Sequence, residues 1–360
     1  MGDPAQSKPA AIFPYDKCSV AQIWPDAFGV GGTVDVQGST KFCFEMQSRV
    51  GSCGSCFATR IAQEFRRFGV NYVVTEPGPT IDRQLAIEYG YWPLSARFGN
   101  VYTTIQLAQL MERALGYFEP GEQPWRDDQG KFRDPFRPHI QPVGFDSETE
   151  LAKDRELHYA AVRELFNTVE VFVATFGLTD AWISRADGSA FPRCPGRGIG
   201  SFDDNKYILR SLDVAENITY IERFLELLRS VNPNAKVILS VSPVHLLATV
   251  TDVHIGRASA YAKANLRAAV ETVVRRHPHV DYFASYEIVA LPQPGPSRYT
   301  ADYRHASEDA IADVVRSFFR HFMGVDSTTL IPVQDNCATT QPQPCDEEEL
   351  LRLISSDAAP

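Results

Sequence analysis

The chain has 360 residues, of which 44% are hydrophobic, and a formal net charge of −10 at pH 7. This length and composition predict one large core, with or without a small subdomain. The acidic balance argues against a nucleic-acid partner, because neutralising phosphates requires a basic face. No apolar run is long enough to span a membrane, and the odd number of cysteines without a secretion signal indicates a cytoplasmic protein with reduced thiols.

The first predicted element is a strand that turns into a helix. Residues 1–40 are interpreted as an N-terminal extension, and a strand is predicted over 48–53. The helix after it is indicated by apolar residues at helical spacing before Gly69, namely Phe57, Ile61, Phe65 and Phe68. Ser55 is therefore predicted to lie at the first helical turn, where free backbone N–H groups and the positive end of the helix dipole meet it.

Strands and helices alternate along the rest of the chain. Further strands are predicted over 169–176, 236–241 and 280–284. Further helices are predicted over 104–115, 217–231, 258–275 and 307–323. This order predicts a mostly parallel sheet covered on both faces. Ser55, Gly177 and Ser242 each follow a strand, so we expect them at the carboxyl edge, where open α/β sheets bind ligands.

Two irregular stretches interrupt the alternation. Residues 119–150 are rich in proline, glycine and charge, and we interpret them as a cap over a cleft that includes Arg137. The alternative is a surface insertion in which Arg137 is structural. Residues 184–206 are predicted to form another wall of the cleft, with Cys194 in an incidental position.

The tail, residues 325–360, carries Cys337, Cys345 and an acidic run from Asp346 to Glu349 ahead of apolar residues. It is interpreted either as a short terminal helix that docks on the domain or on a partner, or as a solvated end.

Three chemistries compete for the segment Cys53-Gly54-Ser55-Cys56. The Cys-x-x-Cys spacing suits a redox dithiol or half of a metal site, but the other cysteines offer no second close pair, so no metal or cofactor is predicted. Cys56 resembles the nucleophile of papain-like proteases, yet Val50 stands where those enzymes carry a glutamine, and no histidine lies at the required distance. Ser55 as nucleophile needs a base, an orienting acid and oxyanion donors.

A candidate base and acid occur together near the end of the chain. His305 follows Asp302 by three residues and precedes a predicted helix that Ser307 can cap. An aspartate at this spacing can fix the tautomer of the imidazole that takes the serine proton. A serine early in the chain and Asp-x-x-His late is the order found in SGNH (GDSL-type) hydrolases.

The chain resembles the GSCFA family, which is named after the residues found here at 54–58 and is related to SGNH hydrolases. Further blocks match at 97–103, 176–182, 240–244, 282–288 and 302–307. The resemblance implies an α/β fold of SGNH type, a three-layer sandwich with a mostly parallel central sheet and a cap formed by insertions, in a catalytic domain at 41–324. It also implies a serine-dependent ester hydrolase or O-acyltransferase that acts through an acyl-serine intermediate on an acylated glycan or small molecule.

The resemblance assigns roles to individual residues. Ser55, Asp302 and His305 would be nucleophile, acid and base, and Ala306 replaces the usual proline. The backbone N–H groups of Ser55 and Gly99 would bind the oxyanion. The alternatives to this function are an enzyme with a cysteine nucleophile and a non-catalytic binding module on the same fold.

The oxyanion hole departs from the SGNH pattern at one position. Thr179 stands where the superfamily has an asparagine, and Asn100 could supply the missing amide from the neighbouring block. A competing interpretation makes Thr179 a helix cap for a turn that begins with Asp180. The residues predicted to line the substrate cleft are Tyr102, Arg137, Trp182 and His245.

Overall fold

The computed structural model describes residues 13–28, 35–79, 82–292 and 296–333, together with 346, 348, 349, 351 and 352. Cys337 and Cys345 of the tail lie outside the described residues. The strands are β1 (Val50–Cys53), β2 (Trp125–Arg126), β3 (Phe132–Arg133), β4 (Val171–Phe176), β5 (Asp180–Ser184), β6 (Ala190–Phe191), β7 (Tyr207–Ser211), β8 (Lys236–Val241) and β9 (Val280–Phe283). The helices are α1 (Trp24–Phe28), α2 (Cys56–Arg67), α3 (Arg83–Glu88), α4 (Thr104–Leu115), α5 (Glu148–Thr168), α6 (Val214–Val231), α7 (Ile255–Arg276), α8 (Ser285–Ala290) and α9 (Glu308–Phe318), and a π-helical turn, Phe319–Met323, follows α9.

The central sheet is parallel, with strand order β1-β4-β8-β9. Val171 of β4 lies opposite Val50 of β1 and Lys236 of β8, and Val237 lies opposite Val280 of β9. Every residue of β4 is buried, because helices cover both faces of the sheet and the strand is apolar except for Thr175. The prediction of a mostly parallel sheet in an α/β fold is confirmed.

Two apolar cores separate the three layers. On one face, α4, α5, α6 and α7 pack against the sheet through residues such as Leu110, Leu165 and Phe224. On the other face, α2, α8 and α9 pack through residues such as Phe65 and Phe318. No helix among the described residues is long and apolar enough to cross a membrane.

The sequence did not predict a second, antiparallel sheet, in which β5 pairs with both β6 and β7. Its strand β6 lies inside the stretch 184–206, which was predicted to be irregular. In the other predicted irregular stretch, β2 and β3 form a small antiparallel pair, and α5 begins at Glu148.

Residues 35–41 lie against the edge strand β9 and the end of the last helix. The Gln37 side chain donates to the Tyr282 carbonyl and accepts from the Ala284 N–H, both at 2.8 Å. Asp35 pairs with His321 at 2.7 Å. Part of the predicted N-terminal extension therefore closes the open edge of the sheet, and the exact limits of the catalytic domain stay a prediction.

Candidate active site

Ser55 lies at the turn between β1 and α2. It is the N-cap residue of α2, and its side chain makes no capping hydrogen bond to that helix. The turn requires glycine at position 54, because φ is +152° and an added Cβ would lie 2.6 Å from the Ala58 Cβ and 3.0 Å from the Thr175 carbonyl oxygen. The hydroxyl of Ser55 is thus placed at the positive end of a twelve-residue helix, as predicted.

Backbone hydrogen bonds connect the loops at the carboxyl edge of the sheet. The Val101 N–H donates to the Gly54 carbonyl at 2.9 Å, which ties the second sequence block to the turn that carries Ser55. The Gly177 N–H donates to the Tyr102 carbonyl at 2.9 Å and so ties in the third block. These bonds bring the predicted oxyanion loop beside Ser55.

The loop that carries the predicted base is tied to the end of β8. The Arg304 Nε donates to the His245 carbonyl at 2.9 Å, and the His245 N–H donates to the Arg304 carbonyl at 3.4 Å. The ring of His245 stacks on Tyr299 with centroids 5.1 Å apart, and its Nδ1 lies 2.9 Å from the Ser259 Oγ. His245 therefore supports the base loop, and its role in lining the cleft stays a prediction.

Asp302 and His305 meet as the spacing predicted. The His305 Nδ1 lies 2.6 Å from the Asp302 Oδ2. Although burial raises the pKa of Asp302, hydrogen bonds from the Thr300 hydroxyl, from the backbone of Arg304 and from His305 hold it well below its usual value. The carboxylate is therefore ionised near neutral pH and can orient the imidazole.

The other imidazole nitrogen of His305 points toward two charged groups. Its Nε2 lies 2.9 Å from the Arg304 Nη1 and 3.0 Å from the Glu348 Oε1. Arg304 and Glu348 also form an ion pair at 2.5 Å. The nitrogen that would accept a serine proton is thus in contact with a carboxylate from the C-terminal region of the chain.

Gly99 and Asn100 follow an anchored arginine. The Arg97 guanidinium is buried and pairs with Asp154 at 2.6 Å. Gly99 has φ +66°. The Asn100 Nδ2 donates to the Asp346 Oδ2 at 2.7 Å, so its amide is directed at a carboxylate oxygen.

Thr179 does not cap a helix, so that interpretation was wrong. Asp180 begins the strand β5 and is paired with Ser211 of β7. Thr179 is buried, and its hydroxyl lies 3.4 Å from the Ser211 Oγ. The pairing with β7 holds the backbone at Asp180 in an extended form, and a helix that began here would break this pairing.

A cavity of about 700 Å³ lies beside Tyr102 and Trp182. Trp182 is half-buried and meets Phe202 edge to face with centroids 5.6 Å apart. Cys194 also lines this cavity, and burial raises its pKa to about 11. Part of the wall comes from residues 191–202, where the sequence predicted one.

A second cavity, of about 400 Å³, adjoins Gly99 and Asn100. Residues of the stretch 119–150 line it, among them His139 and Arg137. Arg137 is itself buried and pairs with Asp134 at 3.0 Å and with Asp154 at 2.9 Å. The stretch therefore lines a cavity, its role as a cap stays a prediction, and Arg137 has the structural role considered as the alternative.

Sequence reasoning did not single out His139, Arg193 or Arg304 as residues of the site. His139 lies 3.3 Å from Asp346 and 2.9 Å from Glu349, which are distant in sequence. The acidic run from 346 was the one available signal, since a docked terminal helix was among its interpretations.

Neither Cys53 nor Cys56, the two cysteines near Ser55, forms a disulfide. Burial raises the pKa of Cys53 far above its usual value, so its reactive thiolate form is suppressed. Within the part of the chain that the structure describes, no group of three or more His, Cys, Asp or Glu side chains could hold a metal ion.

The model of the GSCFA family matches residues 49–318. No curated protein sequence matches the chain. Similar solved structures include an acetyl esterase mutant with an acetate ion, at 11% identity, with 75% of this chain and 93% of that chain covered and a TM-score of 0.31. A carbohydrate esterase family 3 protein from Talaromyces cellulolyticus is 10% identical, with 76% and 94% covered and a TM-score of 0.27. The periplasmic domain of a lipopolysaccharide acetyltransferase from Salmonella ser. Paratyphi A is 11% identical, with 60% and 77% covered and a TM-score of 0.27. Similarity at these TM-scores carries no argument about activity.

Proposed function

The chain belongs to the GSCFA family, and we propose that it is a serine-dependent ester hydrolase or O-acyltransferase that forms an acyl intermediate on Ser55. The observation that carries this proposal is the Asp302–His305 pair, joined at 2.6 Å on a loop of the carboxyl edge of the sheet. Ser55 supports it from the same edge, because it lies at a helix N-terminus and its hydroxyl does not cap that helix.

The proposed reaction has two acyl-transfer steps. In the first, the His305 Nε2 takes the proton of the Ser55 Oγ as that oxygen attacks the ester carbonyl carbon. The imidazolium then gives the proton to the leaving alkoxide. In the second, water or an alcohol loses its proton to the same nitrogen and attacks the acyl-serine, which releases an acid or a new ester and restores Ser55.

The proposed oxyanion donors are the backbone N–H groups of Ser55 and Gly99 and the Asn100 side chain. The bond from Asn100 to the Asp346 carboxylate supports this role, because a carboxylate oxygen resembles the tetrahedral oxyanion in charge. Thr179 is proposed as a weaker contributor, since its hydroxyl shares a contact with Ser211.

The proposed substrate is an acylated glycan or another small acylated molecule. The largely apolar cavity beside Tyr102 and Trp182 supports this class, because aromatic side chains pack against acyl groups and sugar faces. The second candidate function is an enzyme with a cysteine nucleophile. The candidate thiol is that of Cys56, because this residue also lies at the start of α2.

The proposal is tested by locating the covalent adduct. The wild-type chain is incubated with a fluorophosphonate, digested, and the modified peptide is sequenced by mass spectrometry. We expect the phosphonyl group on Ser55, because the neutral Oγ is activated by His305. A modification found on Cys56 alone would mean that the Cys56 thiol, and not Ser55, is the nucleophile.

The oxyanion assignment predicts a specific kinetic effect. We expect Asn100→Ala to lower kcat by about two to three orders of magnitude with little change in KM, because the bond strengthens in the transition state. Thr179→Val should lower kcat less. Ser211→Ala is the matched control, since it removes the contact of the Thr179 hydroxyl and leaves both donors in place. If Asn100→Ala and Thr179→Val both keep the wild-type kcat on a reactive ester, backbone groups alone form the oxyanion hole.

A further inference from the structure

Acidic and apolar side chains near the C-terminus line the two cavities described above, which together we call the cleft. We call the described residues 346, 348, 349, 351 and 352 the acidic segment. Asp346 is only 2% exposed. Its carboxylate accepts hydrogen bonds from the Asn100 amide at 2.7 Å and from the Tyr102 hydroxyl at 2.9 Å, and its own N–H donates to that hydroxyl at 2.9 Å.

Glu348 contacts the atom on which the proposed chemistry depends. Its Oε1 lies 3.0 Å from the His305 Nε2 and 2.5 Å from the Arg304 Nη1. A serine hydroxyl and a carboxylate cannot both occupy the position facing that nitrogen. Glu348 therefore competes with the Ser55 proton for the base.

His139 of the predicted cap and Arg193 of the predicted cleft wall complete the contact. The two ring nitrogens of His139 face Asp346 at 3.3 Å and Glu349 at 2.9 Å. The bond with His139 holds the pKa of Glu349 below its usual value, although burial opposes this, so the carboxylate is ionised at neutral pH. Arg193 is buried and donates to the Gly196 carbonyl at 2.9 Å, and Asp346 and Glu349 favour its charged form against the effect of burial, which lowers its pKa.

The acidic segment also reaches the apolar part of the cleft. Leu351 lines the cavity of about 700 Å³ together with Trp182 and Leu178. The segment thus places carboxylates against the polar, reacting side and a leucine against the apolar side. An acid product of ester hydrolysis would bind in the same way, with its carboxylate where the Asp346 carboxylate lies and its apolar group where Leu351 lies.

We propose that the cleft contains a carboxylate-binding surface formed by Asn100, Tyr102, His139 and Arg304, and that the acidic segment is its intramolecular ligand, which blocks access to Ser55 while it is bound. The blocking step rests on the proposed function, whereas the binding of the segment does not. Ester hydrolysis releases a carboxylate, so the surface that binds the segment is the one that would bind the acid product.

The test uses the full chain with three isosteric changes, Asp346→Asn, Glu348→Gln and Glu349→Gln. The matched control removes the same charge from exposed positions outside the cleft with Glu119→Gln, Glu156→Gln and Asp204→Asn. Two rates are measured in each protein: tryptic cleavage after Arg352 and fluorophosphonate labelling of Ser55. The Arg352 side chain is exposed, but the described residues of the segment are helical and a protease binds its substrate in extended form, so cleavage requires the segment to unwind and leave the cleft. We expect both rates to rise about tenfold or more in the test variant and to stay unchanged in the control, because charge-assisted hydrogen bonds are lost only in the former.

Each outcome decides a separate point. Cleavage after Arg352 that is as fast in wild type as in the test variant would overturn the binding of the segment. Faster cleavage with an unchanged labelling rate would overturn the blocking. If no protein is labelled while the cleavage rates still differ, the proposed function fails and the carboxylate-binding surface stands.

Discussion

Ser55→Ala is expected to lower kcat on an activated ester by roughly 10⁵- to 10⁶-fold, the usual loss when a serine nucleophile is removed. The reason is that no acyl-enzyme can form without the Oγ, while the fold and the cleft are unchanged. The same variant should show no fluorophosphonate labelling. Turnover and labelling are measured on protein whose thermal unfolding matches that of wild type.

Two matched controls isolate the hydroxyl of Ser55. Ser52→Ala removes a serine hydroxyl from β1, in the same strand-to-helix segment, where it contacts the Tyr72 hydroxyl at 2.7 Å. Cys56→Ser removes the neighbouring thiol. Both variants are expected to keep most of the wild-type activity. An active Ser55→Ala protein that iodoacetamide inactivates at Cys56 would instead assign the nucleophile to the thiol.

Local sequence patterns account for the parts of the structure that were predicted correctly. The buried strand β4 is apolar except for Thr175, and the strand-to-helix turn at Ser55 is marked by the glycine before it and the helical spacing after it. Asp302 and His305 are three residues apart, so they lie on one loop within reach of each other. Such features depend on neighbours in sequence and can therefore be read from it.

The features that were missed depend on distant partners. Asp180 adopts a strand because it pairs with Ser211, thirty-one positions on, and this pairing overrides the capping preference of Thr179. The helix α5 was not predicted, since its buried face includes His158 among apolar residues and interrupts the expected pattern. Asp346 binds Tyr102 across 244 positions, a separation at which sequence spacing carries no information.

The structure also explains why the base loop depends on more than its own sequence. Arg304 is bonded to the His245 carbonyl, contacts the His305 Nε2 and pairs with Glu348. Loss of this arginine would therefore affect both the position of the base and the contact with the acidic segment. For this reason the role of the base is better tested at His305 and Asp302 themselves.

His305→Ala is expected to lower kcat by roughly 10⁵- to 10⁶-fold, and Asp302→Asn by about 10⁴-fold, because the imidazole is lost in the first variant and loses its orienting acceptor in the second. In wild type, turnover should rise with pH between about 5 and 8, since only the neutral imidazole can take the serine proton. The pKa of Asp302 is held below its usual value, so this carboxylate is ionised throughout that range and adds no second step. The rise should be absent from the residual activity of His305→Ala.

The pair formed by Asp35 and His321 provides the matched control, because it joins an aspartate and a histidine at 2.7 Å between the N-terminal extension and the end of the last helix. We expect His321→Ala to keep the wild-type kcat and the wild-type dependence on pH, even if its thermal stability falls. His245→Ala should weaken turnover without removing the rise with pH, because it removes the ring that stacks on Tyr299 and contacts the Ser259 hydroxyl but does not accept the proton. The bonds between position 245 and Arg304 are made by the backbone of position 245 and remain in this variant. If His245→Ala proves as damaging as His305→Ala and also removes the rise with pH, the proton is taken by His245 and the assignment of the base to His305 is wrong.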